Sequence, residues 1–268
     1  MVCYVTSHGN WRHRFFRKSL LDAYVREILK PWGISTMTLL ARHRELPDKL
    51  HNQVSPLCQE NIDIYIQDIA TADTMPDADY VIHAAVSSIA LVYQKYSISE
   101  FYNMHKATEN YCRLAKIYYK NSKTLFVSSR ATYGFQHQLL QPIDEFLPLI
   151  INDHEFKPAS DKDYYALNKC HGERLFIKYS IQYCLRVVIA RCFAFIGPWL
   201  PHDQHFAIGN FLEDGFKKRS IRVNAKYPVV RSYVCWRSCA LVYDYGQFCK
   251  PTVRNLQYWF SVGGFIQY

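Results

Sequence analysis

A tyrosine and a lysine stand four positions apart in Tyr165-Ala-Leu-Asn-Lys169, and Ser129 lies upstream in Val127-Ser-Ser-Arg-Ala-Thr-Tyr-Gly134. On a helix this spacing puts phenol and ammonium on one face. The ammonium favours the phenolate and is expected to lower the phenol's pKa. Such a phenol exchanges a proton with a substrate hydroxyl as general acid or base. A serine hydroxyl polarises the same oxygen. Hydride transfer between a secondary alcohol and a nicotinamide needs this relay. The Tyr-x-x-x-Lys spacing alone is weakly specific in a chain with 21 tyrosines. The Ser-Ser…Tyr-Gly segment ahead of it, in that order, adds most of the weight.

Positioning these groups requires a rigid frame, and strand-like runs alternate with helical ones. Strands are expected at Val2 to Thr6, Ser35 to Ala41, Asp63 to Gln67, Tyr80 to Ala84, Thr124 to Ser128 and Cys184 to Arg191. Helices are expected at Ser19 to Leu29, ended by Pro31, then at Ile98 to Lys120 and Tyr164 to Tyr179. This alternation implies an α/β chain with a parallel sheet. Ligands of such sheets sit at the carboxyl ends of strands, where His83 to Ala85 and Ser128-Ser129 fall. From about Trp199 the pattern turns irregular and aromatic, as in a smaller region capping the main domain. Residues 1–198 are therefore expected as the main domain and 199–268 as a partial second region.

Composition bounds the rest. The chain has 268 residues, 49% of them hydrophobic, enough for one large or two small domains with a core. No apolar run approaches a membrane span of roughly 20 residues. The N-terminus lacks the pattern of a signal peptide. The nine scattered cysteines then read as reduced thiols of a cytoplasmic protein. Cys235 and Cys239 lack a second ligand pair nearby, so no metal site is expected. The net charge is +9, partly from the crowded His8, Arg12, His13, Arg14, Arg17 and Lys18. That is either a solvated basic face or an affinity for phosphate groups. No recognition helix or zinc finger accompanies it, so nucleic acid is not the expected partner.

The order of motifs resembles the extended short-chain dehydrogenase/reductase family, in its nucleotide-sugar epimerase/dehydratase branch. The resemblance runs through Asp79-Tyr-Val-Ile-His-Ala-Ala85, then Asn103 with Ala107-Thr-Glu-Asn110, then Val127 to Gly134. It continues through Tyr165 to Glu173, Arg191-Cys-Phe-Ala-Phe-Ile-Gly-Pro198, Phe206-Ala-Ile-Gly-Asn-Phe211 and Arg231-Ser-Tyr233. It implies a Rossmann-like doubly wound sheet for NAD or NADP with a small C-terminal region for a nucleotide sugar. Ser129, Tyr165 and Lys169 then match the catalytic triad, with Lys169 also holding the nicotinamide ribose. Asp68 and Ile69 match positions beside the adenine. Ala84, Ala85 and Asn103 match cofactor positions, and Asn210 and Arg231 match contacts to the sugar diphosphate. Asp68 reads equally as a turn residue and Asn210 as a helix cap. Relatives pair as homodimers through two helices, here the catalytic helix and the one around Ile98 to Lys120.

Three departures stand beside the resemblance. The family's turn Gly-x-x-Gly-x-x-Gly brings backbone close to a pyrophosphate. Here its positions hold Trp11, Arg14 and Arg17, or in another register Ser7, Asn10 and His13. Either arginines replace the amides as phosphate binders, or cofactor affinity is lost and the chain is a non-catalytic binding or scaffold relative. After Ser129 stand Arg130 and Ala131, where 4,6-dehydratases carry an Asp-Glu pair. Without an acid and a base for elimination, an epimerase or ketoreductase is expected. Arg42 occupies the place of the acidic ribose ligand, consistent with an NADP phosphate or a surface charge. Ala194 replaces the usual Asn, and Val234-Cys-Trp-Arg-Ser-Cys239 follows Tyr233, so the substrate region is expected to be incomplete.

Overall fold

Two of the expected strands are apolar along nearly their whole length, which calls for cover on both faces. In the computed structural model they lie inside one parallel sheet, each with a neighbouring strand on both sides. The structure describes residues 2–6, 15–41, 61–84, 90–134, 149–150, 158, 161–197, 199–200, 206–223, 230–231, 233–235, 254–256 and 266–267. The chain runs β1 (Val2–Thr6), α1 (Phe15–Val25), β2 (Thr36–Ala41), β3 (Ile62–Ile66), β4 (Tyr80–His83) and α2 (Ala90–Tyr118). It continues with β5 (Lys123–Ser129), α3 (Asp161–Tyr183), β6 (Arg186–Cys192), β7 (Ala194–Ile196) and α4 (Ala207–Phe216). Short strands β8 (Val230–Arg231), β9 (Tyr233–Cys235), β10 (Arg254–Leu256) and β11 (Ile266–Gln267) close the order.

The seven-stranded sheet has the order β10-β6-β5-β4-β1-β2-β3. Every pairing in it is parallel, from Val2↔Thr36 and Cys3↔Tyr80 to Lys123↔Arg186 and Arg254↔Val188. The order reverses between β1 and β4, as in a doubly wound dinucleotide-binding sheet. All four residues of β4 are buried. On one face, Leu20, Leu21 and Ala23 of α1 pack on Met37, Leu39 and Ile82. On the other, Tyr111 and Ala115 of α2 and Phe176 of α3 pack on Val81, Phe126 and Ile189.

Helices α2 and α3 lie side by side, joined where Asn168 Nδ2 donates to the Phe101 carbonyl at 3.4 Å. Helix α3 presses close to the sheet at Gly172. A Cβ there would stand 2.5 Å from Phe126 Cζ. Phe126 is fully buried and stacks on Phe176 at 4.5 Å, so its ring cannot retreat.

Expected boundaries shift by a few residues. Helix α1 starts at Phe15 rather than Ser19 and yields to a turn before a 3-10 turn at Lys30–Trp32. The helix ends at Val25, well before Pro31, which lies inside that 3-10 turn. Helix α2 begins at Ala90 and α3 extends to Tyr183. Beyond Trp199 the described residues include a helix and short strands. Helix α4 and the parallel pair β7·β9 surround a small core of Leu200 and Ile208 with Phe195, Trp199 and Tyr233. Strand β10 returns to the main sheet beside β6. Among the described residues no helix is long and apolar enough to cross a membrane.

Candidate active site

Strand β5 ends at Ser129, and the chain turns at once. Ser129 is extended (φ −147°, ψ 148°), and its Oγ accepts from the Ala131 amide at 3.2 Å. This caps the 3-10 turn Arg130–Tyr133, and Thr132 Oγ1 donates back to the Ser129 carbonyl at 2.9 Å. The turn holds the serine at the carboxyl edge of the sheet. Helix α3 brings Tyr165 to it, phenol and Ser129 hydroxyl in hydrogen-bond contact.

One turn later Lys169 is buried, 3% exposed. Its Nζ donates to the Val127 carbonyl at 2.5 Å and lies 5.3 Å from the Phe126 ring centre. It is 5.9 Å from the Tyr165 ring centre. The structure thus brings Ser129, Tyr165 and Lys169 together on one edge. It corrects the expected electrostatics. Burial pushes the Tyr165 phenol up to about 12, with the Ser129 hydroxyl opposing. The ammonium donates to a backbone carbonyl on β5.

The neighbours share this low-polarity setting. Burial pushes the Cys192 thiol up to about 12, against the pull of Lys169. His83, at the end of β4, is fully buried. Burial and then the Lys169 charge lower its pKa to about 3, so it is neutral. Its ring lies 4.4 Å from Tyr111, 5.5 Å from Phe176 and 5.9 Å from Phe126.

The remaining expected residues are spread more widely. Asp68 is partly buried and its Oδ1 accepts from the Ala70 amide at 2.9 Å, the bond of a turn residue. Ile69 is fully buried in the core. Ala84 packs against the α1 side of the core. Asn103 is exposed on α2. Asn210 sits inside α4, its amide bonded to the carbonyl of Phe206, which is the N-cap, so Asn210 is not the cap. Arg231 lies in β8, opposite Ile266 of β11. Arg42, Ala85 and the basic turn with Ser7, Asn10, Trp11, His13 and Arg14 lie outside the described residues. Pairing of β7 with β9 sets Ala194 opposite Tyr233. Among the described residues no group of three or more His, Cys, Asp or Glu side chains can hold a metal.

One buried cluster was not anticipated. Glu173 and Arg191 form an ion pair at 2.8 Å, their side chains 0% and 4% exposed. A charged residue inside the apolar run Val187-Val-Ile-Ala-Arg-Cys192 was the available signal, because buried charge demands a partner.

A doubly wound parallel sheet is the frame of dinucleotide-binding folds, and here a hydroxyl, a phenol and an ammonium stand at its carboxyl edge. Residues 30–237 match the profile of the NAD dependent epimerase/dehydratase family. The chain belongs to that family. No curated protein sequence matches it. Among solved structures it resembles a UDP-N-acetylglucosamine 4-epimerase from Methanobrevibacter ruminantium, with TM-score 0.73 and 18% identity over 99% of this chain and 77% of that one. It also resembles a UDP-galactose 4-epimerase, with TM-score 0.67 and 19% identity over 96% of this chain and 77% of the other. A dTDP-glucose 4,6-dehydratase from Streptomyces venezuelae gives TM-score 0.68 and 17% identity over 100% of this chain and 77% of that one.

The family's cofactor is NAD, and the described site residues fit its reactive end. Hydroxyl, phenol and ammonium stand on one edge, beside the strand-order reversal between β1 and β4.

Proposed function

We propose that the chain exchanges a proton and a hydride at C4 of the sugar in a nucleotide sugar, as an epimerase or 4-ketoreductase. The contact of Ser129 with Tyr165, one turn from the buried Lys169, carries this reading. NAD or NADP, when bound, supplies the hydride acceptor and donor. Tyr165 gives and takes the hydroxyl proton at its phenol oxygen. Ser129, fixed by its turn, donates to the sugar oxygen and sets its distance from the phenol. Lys169 would hold the nicotinamide ribose when the cofactor is bound, and it places positive charge 5.9 Å from the Tyr165 ring centre.

Asp68, Ala84, Ala85, Asn103 and Arg42 belong to the cofactor site, with Ile69 contributing backbone because its side chain is in the core. Asn210 and Arg231 belong to the diphosphate site. The similar solved structures are of epimerases and dehydratases of UDP and dTDP sugars, which supports a nucleotide sugar as substrate. Arg130 and Ala131 follow Ser129, so elimination of water lacks its acid and base. A homodimer forms through α2 and α3, which leave Ile98, Tyr102 and Ile181 exposed.

A second reading rests on the missing glycines: a family member that keeps the fold for binding or scaffolding without turnover. Titration of the folded chain with NADH and NADPH separates the two. We expect saturable micromolar binding, weakened at least about tenfold by Lys169→Ala. We also expect C4 interconversion of UDP-hexoses to drop roughly 10²- to 10⁴-fold in Tyr165→Phe. A folded sample that binds neither nucleotide at millimolar concentration leaves only the second reading.

A further inference from the structure

Tyr165, Lys169 and Glu173 lie on one face of α3, at successive spacings of four. The first two serve the proposed reaction; Glu173 has no assigned task. Its carboxylate accepts from Ser128 Oγ at 2.5 Å, from Arg191 Nε at 3.1 Å and from Arg191 Nη2 at 2.8 Å. Arg191 Nη1 in turn donates to Tyr133 Oη at 2.8 Å, with the guanidinium carbon 4.8 Å from the Tyr133 ring centre. The Glu173 bonds more than offset the burial that would discharge Arg191, so its pKa is raised.

The partners matter because of where they sit. Ser128 immediately precedes Ser129, and Tyr133 ends the turn that Ser129 caps. One carboxylate on the helix of Tyr165 therefore grips the residue before Ser129 directly and the turn after it through Arg191. Packing alone does not call for this arrangement, since apolar side chains of equal volume fill such space as well or better. What charged bonds add is direction and registry.

We propose that Glu173 and Arg191, acting through Ser128 and Tyr133, are positioning residues that hold the Ser129 hydroxyl against the Tyr165 phenol. The proposal rests on the preceding functional reading only for the use of that contact; the contact itself belongs to the protein alone.

The test uses the full chain labelled with [13Cζ]tyrosine. The Tyr165 line is the one lost in Tyr165→Phe, and Ser129→Ala defines its position when the contact is gone. Ser128→Ala and Tyr133→Phe each remove one bond of the network without touching Tyr165. In both, the Tyr165 line should move at least a third of the way to its Ser129→Ala position. Tyr111→Phe removes an unrelated bond from α2 to the same strand, Tyr111 to Thr124 at 3.1 Å, and should leave the line in place. A Tyr165 line unmoved in both folded network variants overturns the proposal, as does an equal shift in Tyr111→Phe. Glu173→Gln should shift the line furthest; should it fail to fold, the two milder variants still decide. Lack of nicotinamide binding would remove the functional reading and leave this result intact. With turnover established, the network variants should lower kcat roughly ten- to hundredfold with KM unchanged; an unchanged kcat overturns the proposal.

Discussion

At the scale of single residues, burial dominates the chemistry of this edge. Tyr165 is held protonated, Cys192 is held as a thiol, and His83 is held neutral, all chiefly by desolvation. His83 gives the most accessible consequence. Its folded pKa of about 3 lies below the unfolded value of 6.5, so the unfolded chain binds the proton more readily. Its stability contribution is complete above pH 6.5 and is lost as pH falls towards 3. Urea unfolding at pH 7 and pH 5 should show about 2 kcal/mol less loss in His83→Phe than in wild type. Equal losses would mean that His83 is not neutral in the fold. The shared face of Tyr165 and Lys169 was legible in the sequence because helix spacing puts residues four apart together, while Ser129 was picked out by its Ser-Ser…Tyr-Gly segment. The direction of the Tyr165 shift was not, because it depends on how much water the fold removes and on the Val127 carbonyl that captures the ammonium.

At the scale of elements, the contact between α3 and β5–β6 combines close packing with buried charge. Gly172 permits the approach, and Glu173 with Arg191 directs it. Removing one charge, as in Arg191→Met, leaves the other buried without compensation and should cost about 3–5 kcal/mol in urea unfolding. Glu173→Leu combined with Arg191→Met should recover most of that loss. A double variant as unstable as the single would show that the pair itself stabilises the fold. Central strands were legible because β4 and β6 are apolar runs bounded by turns. The ion pair was not, since its members lie on different elements. Helix α4 was hidden by Gly209 and Asn210 in its first half, both weak helix formers, and it forms because Ile208 packs under Leu200.

At the scale of the whole molecule, the doubly wound order follows from alternating strands and helices, and it places the three reactive groups at the carboxyl edge. The basic turn that replaces the glycines is legible as a departure but not as a gain or loss, because charge attracts phosphate and side-chain bulk excludes it. The exposed Ile98, Tyr102 and Ile181 on α2 and α3 belong to the proposed dimer face. Tyr102→Glu should halve the mass seen by light scattering while leaving secondary structure unchanged; a wild-type chain already monomeric would dismiss the dimer.

Strand β10 covers the outer edge of β6 with three residues, Arg254 to Leu256, drawn from far along the chain. Parallel pairing over such a separation is slow to form, because loop-closure entropy precedes any gain from contacts. During synthesis β6 therefore emerges with its outer hydrogen-bonding edge bare well before β10 exists. Its interior residues Val187 to Arg191 form a buried strand that other chains can pair with while that edge waits. Until β10 is translated, that edge is open to edge-to-edge pairing with other nascent chains.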